Sequence, residues 1–125
     1  RAGQYFPQDE FYDAYMQGAL SEIAKRASPG TRVAGELPTV AAYYAQRISR
    51  ADLVCVELSD KAELGKLAPG DFVIDGRGRT YFSNQAMLWR LRQASRPAFS
   101  IAVGTTPAAD VYVLDQKSLG ALRGQ

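Results

Sequence analysis

Histidine is absent from the 125 residues of this chain. That absence removes the most frequent general base near neutral pH, the central member of serine and cysteine triads, and the commonest zinc ligand. Cysteine is nearly absent as well. Cys55 stands alone, so no internal disulfide forms, and a lone cysteine fits an oxidising or a reducing compartment equally. Its setting, Leu53-Val54-Cys55-Val56, predicts a buried, inert thiol rather than a nucleophile. An excess of one charge is also lacking: the formal net charge is +2, and acidic residues are distributed among the basic ones. The sequence therefore carries no electrostatic footprint for nucleic acid, which is not an expected partner. No apolar run approaches the roughly 20 residues that span a bilayer, and the N-terminus does not read as a signal peptide. The chain opens at Arg1 with no methionine, which reads as an excised or processed piece of a longer protein, with room for membrane segments upstream.

What is there describes a folded domain. Hydrophobic residues make up 46% of the chain and charged residues 22%, the balance of a soluble globular protein rather than a disordered one. A chain of this length buries about two-thirds of the surface its unfolded form exposes, enough for one core. The expectation is a single soluble α/β domain over residues 1–125, with a lead-in at 1–10 and a frayed polar tail at 116–125. No repeat or internal boundary interrupts it.

Periodicity then places the elements. From Asp9 or Glu10 to Ala27, the residues Phe11, Tyr15, Ala19, Ile23 and Ala27 recur at four-residue spacing, the stripe of a core-facing helix. Ser28-Pro29-Gly30 ends it. Thr31–Glu36 predicts a strand, and Pro38 opens a second helix with Val40, Tyr44 and Ile48 on one face. Asp52–Leu58 is a nearly continuous apolar run, read as an interior strand covered on both sides and parallel to the first. After a connection with one helical turn around Ala62–Leu67, a third strand is predicted at Asp71–Asp75. A third main helix follows from Ser83 or Asn84, either of which is the natural N-cap, to Ala94. Strands at Ala98–Val103 and Asp110–Leu114, joined by a turn-rich link, predict an antiparallel hairpin. The expected architecture is a Rossmann-like domain: a mixed sheet of about five strands, three main helices and a C-terminal β-hairpin.

The sharpest local motif is Gly76-Arg77-Gly78-Arg79. Two glycines permit a tight turn and two arginines can grip a phosphate or carboxylate. Dinucleotide binding fails on spacing, because continuing G-x-G-x-x-G lands on Tyr81, and no Walker lysine follows a glycine loop. The plainer reading is a solvated turn whose arginines pair with Asp71, Asp75 or backbone, with Arg79 the better functional candidate. Glu36 lies at the carboxyl end of the first strand, where ligands bind in open α/β sheets; it also suits the start of the helix that follows. Tyr43 could stack on a sugar, against the plainer reading of a half-buried helix edge beside a core Tyr44. Glu36, Tyr43 and Arg79 are thus the candidate ligand-binding residues. The carboxylates Asp9, Glu10, Asp52, Glu57, Asp71 and Asp75 form no metal or acid–base pattern and are expected to face solvent. No catalytic residue, metal or cofactor is indicated. Tyr5, Phe6, Phe11, Tyr12 and Tyr15 exceed what one helix face buries, so part of that cluster either self-packs or meets another domain or a membrane interface.

The order Phe6-Pro7-x-Asp9-Glu10-Phe11-Tyr12-Asp13, Pro29-Gly30-x-Arg32-Val33-Ala34, Pro38-x-Val40-x-x-Tyr43-Tyr44, Gly70-Asp71-Phe72-Val73-Ile74 and Gly78-Arg79-Thr80-Tyr81-Phe82-x-Asn84 resembles the soluble C-terminal region of polytopic membrane glycosyltransferases. The group is the dolichyl-phosphate-mannose-protein mannosyltransferase-like family and its bacterial relatives. The resemblance covers Tyr5 to about Asp115. It implies a sugar transferase using a polyprenyl-phosphate donor, with its catalytic acid in a membrane domain that nothing in this chain matches. By that resemblance the chain is an extracytoplasmic appendage, on the periplasmic or cell-surface side. Its partners would be the membrane domain of the same polypeptide and a lipid-linked sugar or acceptor. The resemblance gives Arg79, Tyr81 and Asn84 a family role, which a purely structural function would satisfy. A small-molecule or carbohydrate binding module, or a structural interaction domain, are the alternatives that the residues leave open.

Overall fold

A computed structural model describes residues 8–78 and 81–125, with side chains from residue 11 onward. The elements in chain order are α1 (Gln8–Arg26), β1 (Arg32–Gly35), α2 (Pro38–Arg47), β2 (Val54–Glu57), α3 (Lys61–Leu64), β3 (Phe72–Gly76), α4 (Phe82–Ala94), β4 (Phe99–Val103), β5 (Thr106–Val113) and α5 (Gln116–Arg123). They form an α/β domain with one mixed sheet in the order β2-β1-β3-β5-β4. β1 runs parallel to both β2 and β3, while β5 is antiparallel to β3 and to β4.

Alternation along the strands feeds two cores. Val33, Phe72, Ile74, Ala109 and Val111 point to one face, where Tyr15, Ala19 and Ile23 of α1 and Ala41 and Ala45 of α2 cover them. Ala34, Val56, Val73, Tyr112 and Leu114 point to the other, against Leu64 of α3, Leu88 and Leu91 of α4, and Leu119 and Leu122 of α5. Each of the larger aliphatic and phenylalanine side chains contributes about 1.5–3 kcal/mol by leaving water, and each alanine less. The stripe at Tyr15, Ala19 and Ile23 is buried as its spacing predicts.

Several expectations are corrected. Five helices are described rather than three main ones. The tail expected to fray at 116–125 instead carries α5, whose N-terminus is closed by a capping box between Asp115 and Ser118 and whose Leu119 and Leu122 are buried. Its polar composition hid a helix that buries only one narrow stripe. β2 is an edge strand, not an interior one, and Val54 is exposed. The hairpin link is also shorter than expected: β5 begins at Thr106, leaving Gly104 and Thr105 between the strands, with Gly104 at φ 63.

Two carboxylates expected to face solvent are buried. Asp71 accepts from the Arg32 amide at 2.9 Å and the Ala68 amide at 2.8 Å, tying the start of β1 to the turn before β3. Asp75 is held by both nitrogens of the Arg92 fork, Nε at 2.8 Å and Nη2 at 2.9 Å. Both are buried because hydrogen bonds replace the water they lose.

Candidate functional site

A small cavity of about 70 Å³ opens at the carboxyl ends of β1 and β3. Its floor is Val33, Ala34, Gly35 and Ile74, and its walls come from Tyr12, Tyr15 and Met16 of α1, the Glu36–Pro38 turn, Arg77 and Tyr81. This is the crevice that open α/β sheets offer to ligands, although its volume falls short of the roughly 300–1,000 Å³ of drug-sized sites.

Glu36 sits between β1 and α2 and reaches across to α4. Its Oε2 accepts from the backbone N–H of Tyr81 at 2.9 Å and from Nδ2 of Asn84 at 2.7 Å. The expected N-cap at Ser83 or Asn84 is therefore corrected. The cap position is Tyr81, which supplies no side-chain bond of its own; a carboxylate from another element neutralises the helix start in its place. Asn84 lies inside the helix, fully buried, and its Oδ1 has no partner among the described residues.

Tyr15 supplies the other wall. Its ring meets Phe11 and Tyr12 edge-on, with centroids 5.7 and 5.8 Å away. Its hydroxyl occupies the space that a Cβ at position 76 would need, so any larger residue there would have to displace the Tyr15 ring. Burial, followed by the nearby Tyr12, Glu36 and Asp75, pushes its pKa well above the ordinary phenol value. At physiological pH the group is a neutral donor.

Beside the cavity runs a charged ladder. Arg92 holds Asp75; Arg77 donates to Asp110 at 3.2 Å; Ser100 donates to the other oxygen of Asp110 at 2.6 Å. Arg77 was expected to pair with Asp71, Asp75 or backbone. It pairs with Asp110 because β5 lies antiparallel to β3 and sets Asp110 opposite Asp75.

The sequence-predicted residues divide accordingly. Glu36, Tyr81 and Asn84 converge through hydrogen bonds. Tyr43 stands apart on α2, 54% exposed, against Tyr44 and Arg47 and away from the cavity lining. Arg79, like Tyr5 and Phe6, lies outside the described residues. Sequence reasoning missed Tyr15 and Arg77 as cavity residues. Tyr15 was absorbed into a helix stripe, and nothing local signals that Gly76 makes room for its hydroxyl.

Among the described residues no cluster of three metal-ligating side chains occurs. Burial pushes the Cys55 thiol up to about 11, so little of it is thiolate at neutral pH. The cavity can present a buried hydroxyl donor, a carboxylate already engaged with α4, and aromatic walls. That set suits a neutral, hydroxyl-bearing molecule better than an anion, because Arg77 is committed to Asp110. Comparison with family models, curated proteins and solved structures finds no match to this chain.

Proposed function

We propose that the chain is a non-catalytic, extracytoplasmic domain of a membrane glycosyltransferase that uses a polyprenyl-phosphate sugar donor, where it helps to select the acceptor or to dock on the membrane domain of the same polypeptide. Its arrangement is read as Rossmann-like, with ligand access at the carboxyl ends of the parallel strands. The reading rests on the family resemblance. It is supported by one observation in particular: Glu36, the acid best placed for chemistry, is engaged by Tyr81 and Asn84 of the resembling stretch. With its Oε2 shared between two donors at the start of α4, the carboxylate has an architectural role that requires no chemistry. The test is sugar transfer by membranes carrying the whole reading frame, with and without this domain. Loss of transfer to the acceptor, with turnover of the lipid-linked donor retained, is expected. Unchanged transfer to every acceptor would overturn the proposal.

A second reading is favoured by the buried Tyr15 hydroxyl, which lines the same cavity as Glu36 and Tyr81. In it the domain binds a small neutral carbohydrate. Titrating the labelled chain with neutral monosaccharides should shift the amide resonances of Tyr15 and Tyr81, and shifts confined to α2 near Tyr43 would place the site elsewhere.

A further inference from the structure

The outward side of α4 carries apolar groups that the fold does not use. Phe82, Ala86 and Trp89 lie opposite the buried Asn84, Leu88 and Leu91, and Phe82 is 89% and Trp89 60% exposed. Two large aromatic side chains on one exposed stripe are unusual for a surface helix that meets only water. Charges are mixed over the chain as a whole, yet from Gly76 to Ala109 the sequence contains Arg77, Arg79, Arg90, Arg92 and Arg96 and no acidic residue. In the fold, Arg77 and Arg92 are balanced by Asp110 and Asp75, and Glu36 lies at the start of the helix.

Alongside the stripe runs an open groove bordered by Ser83, Ala86, Met87, Arg90, Lys61 and Arg123, with no carboxylate in its lining. Arg90 donates to the carbonyls of Ala121 and Leu122, and Arg123 to those of Leu64, Gly65 and Leu67. These bonds orient the two guanidinium groups without neutralising them. Nε of Arg123 is buried and has no partner among the described residues. The acids beside Lys61 in the sequence do not line the groove: Asp60 caps α3, accepting from the amides of Ala62 and Glu63, and Glu63 pairs with Lys66.

We propose that this face is a membrane-surface site: Phe82 and Trp89 enter the interfacial layer of a bilayer while the Lys61–Arg90–Arg123 groove receives the phosphates of anionic phospholipids. The chemistry of the two halves selects the occupant. Tryptophan favours the headgroup level, where its ring is apolar and its N–H finds acceptors, and basic side chains are drawn to an anionic leaflet. A second copy is disfavoured, because it would set one basic groove against another. The inference does not depend on whether the cavity at Tyr15 holds a ligand.

Trp89 is the sole tryptophan of the chain, so its emission reports this face alone. With vesicles of phosphatidylcholine and phosphatidylglycerol, the emission should shift to the blue and the protein should sediment with the lipid. With phosphatidylcholine alone both effects should be much weaker. Phe82→Ala should lower partitioning about tenfold, and Lys61→Gln about fivefold, the equivalent of about 1 kcal/mol. Both positions are exposed, and unchanged circular dichroism would exclude unfolding as the cause. Absence of binding to the anionic vesicles, binding that leaves Trp89 emission unmoved, or equal binding to neutral vesicles would each overturn the proposal. So would a blue shift that follows protein concentration without lipid, which would mark a second copy as the occupant.

Discussion

The Glu36 carboxylate accepts a 2.7 Å hydrogen bond from the amide of Asn84, 48 residues further along the chain. The same oxygen holds the Tyr81 N–H, so one side chain from the β1–α2 turn fixes the start of α4 and one edge of the cavity. Glu36→Ala removes two charge-assisted hydrogen bonds and leaves a buried amide without a partner. It should destabilise the chain by about 2 kcal/mol. In a double-mutant cycle with Asn84→Ala, denaturant unfolding should give a coupling of about 1 kcal/mol or more. Additive single effects would show that the bond is incidental.

Gly76 and Tyr15 form a second close relationship across the cavity. A Cβ at position 76 collides with the Tyr15 hydroxyl. Gly76→Ala is therefore expected to cost about 1–3 kcal/mol through overpacking. Adding Tyr15→Phe, which deletes the nearest atom, should recover part of that loss in thermal melts; no recovery would place the strain elsewhere.

Asp75 is only 4% exposed and depends on Arg92 for its charge balance, although the arginine side chain is 43% exposed. Arg92→Ala leaves a buried carboxylate with its principal cation gone. Such losses cost about 3–5 kcal/mol when both partners are fully buried; with Arg92 partly in water, about 2–3 kcal/mol is expected. Arg77→Ala, which breaks a more exposed pair with Asp110, should cost no more than about 1 kcal/mol. Chemical denaturation of the two variants compares them directly.

Asp52 links stability to acid. The Arg50 side chain, followed by the Gly30 N–H, lowers its pKa from the ordinary 3.8 to about 2. A carboxylate whose pKa is depressed in the folded state contributes stability that is present above its unfolded pKa and is lost as pH falls through the folded one. The contribution of Asp52 is thus expected to disappear between pH about 4 and about 2. In Asp52→Asn that component of the acid-unfolding curve should be missing, while the stability difference between the two proteins stays constant above that window.

The layered fold was largely legible in the sequence. The four-residue stripe of α1, the apolar strands and the glycine-bearing hairpin link all follow from local chemistry, and local chemistry is what a sequence displays directly. What escaped depended on partners distant in the chain. Asp71 and Asp75 read as solvent-facing because their partners, Arg32, Ala68 and Arg92, meet them only in the folded sheet. α5 read as a frayed tail because two buried leucines in eight polar-rich residues give a weak pattern. At the site, Glu36 could be placed from its position after β1, and Tyr81 and Asn84 from the resembling stretch. Their mutual bonding could not be foreseen, and Tyr43, chosen for its aromatic chemistry, points to solvent.

The central claim, that this chain supports a glycosyltransferase without itself performing the chemistry, is tested most directly by incubating the purified chain with a polyprenyl-phosphate-linked sugar and an acceptor and measuring released lipid phosphate and glycosylated product. The account predicts no turnover above the protein-free control, with divalent metal present or removed by chelation. Sustained multiple turnover by the chain alone, abolished by Glu36→Gln in a protein that still folds, would contradict it.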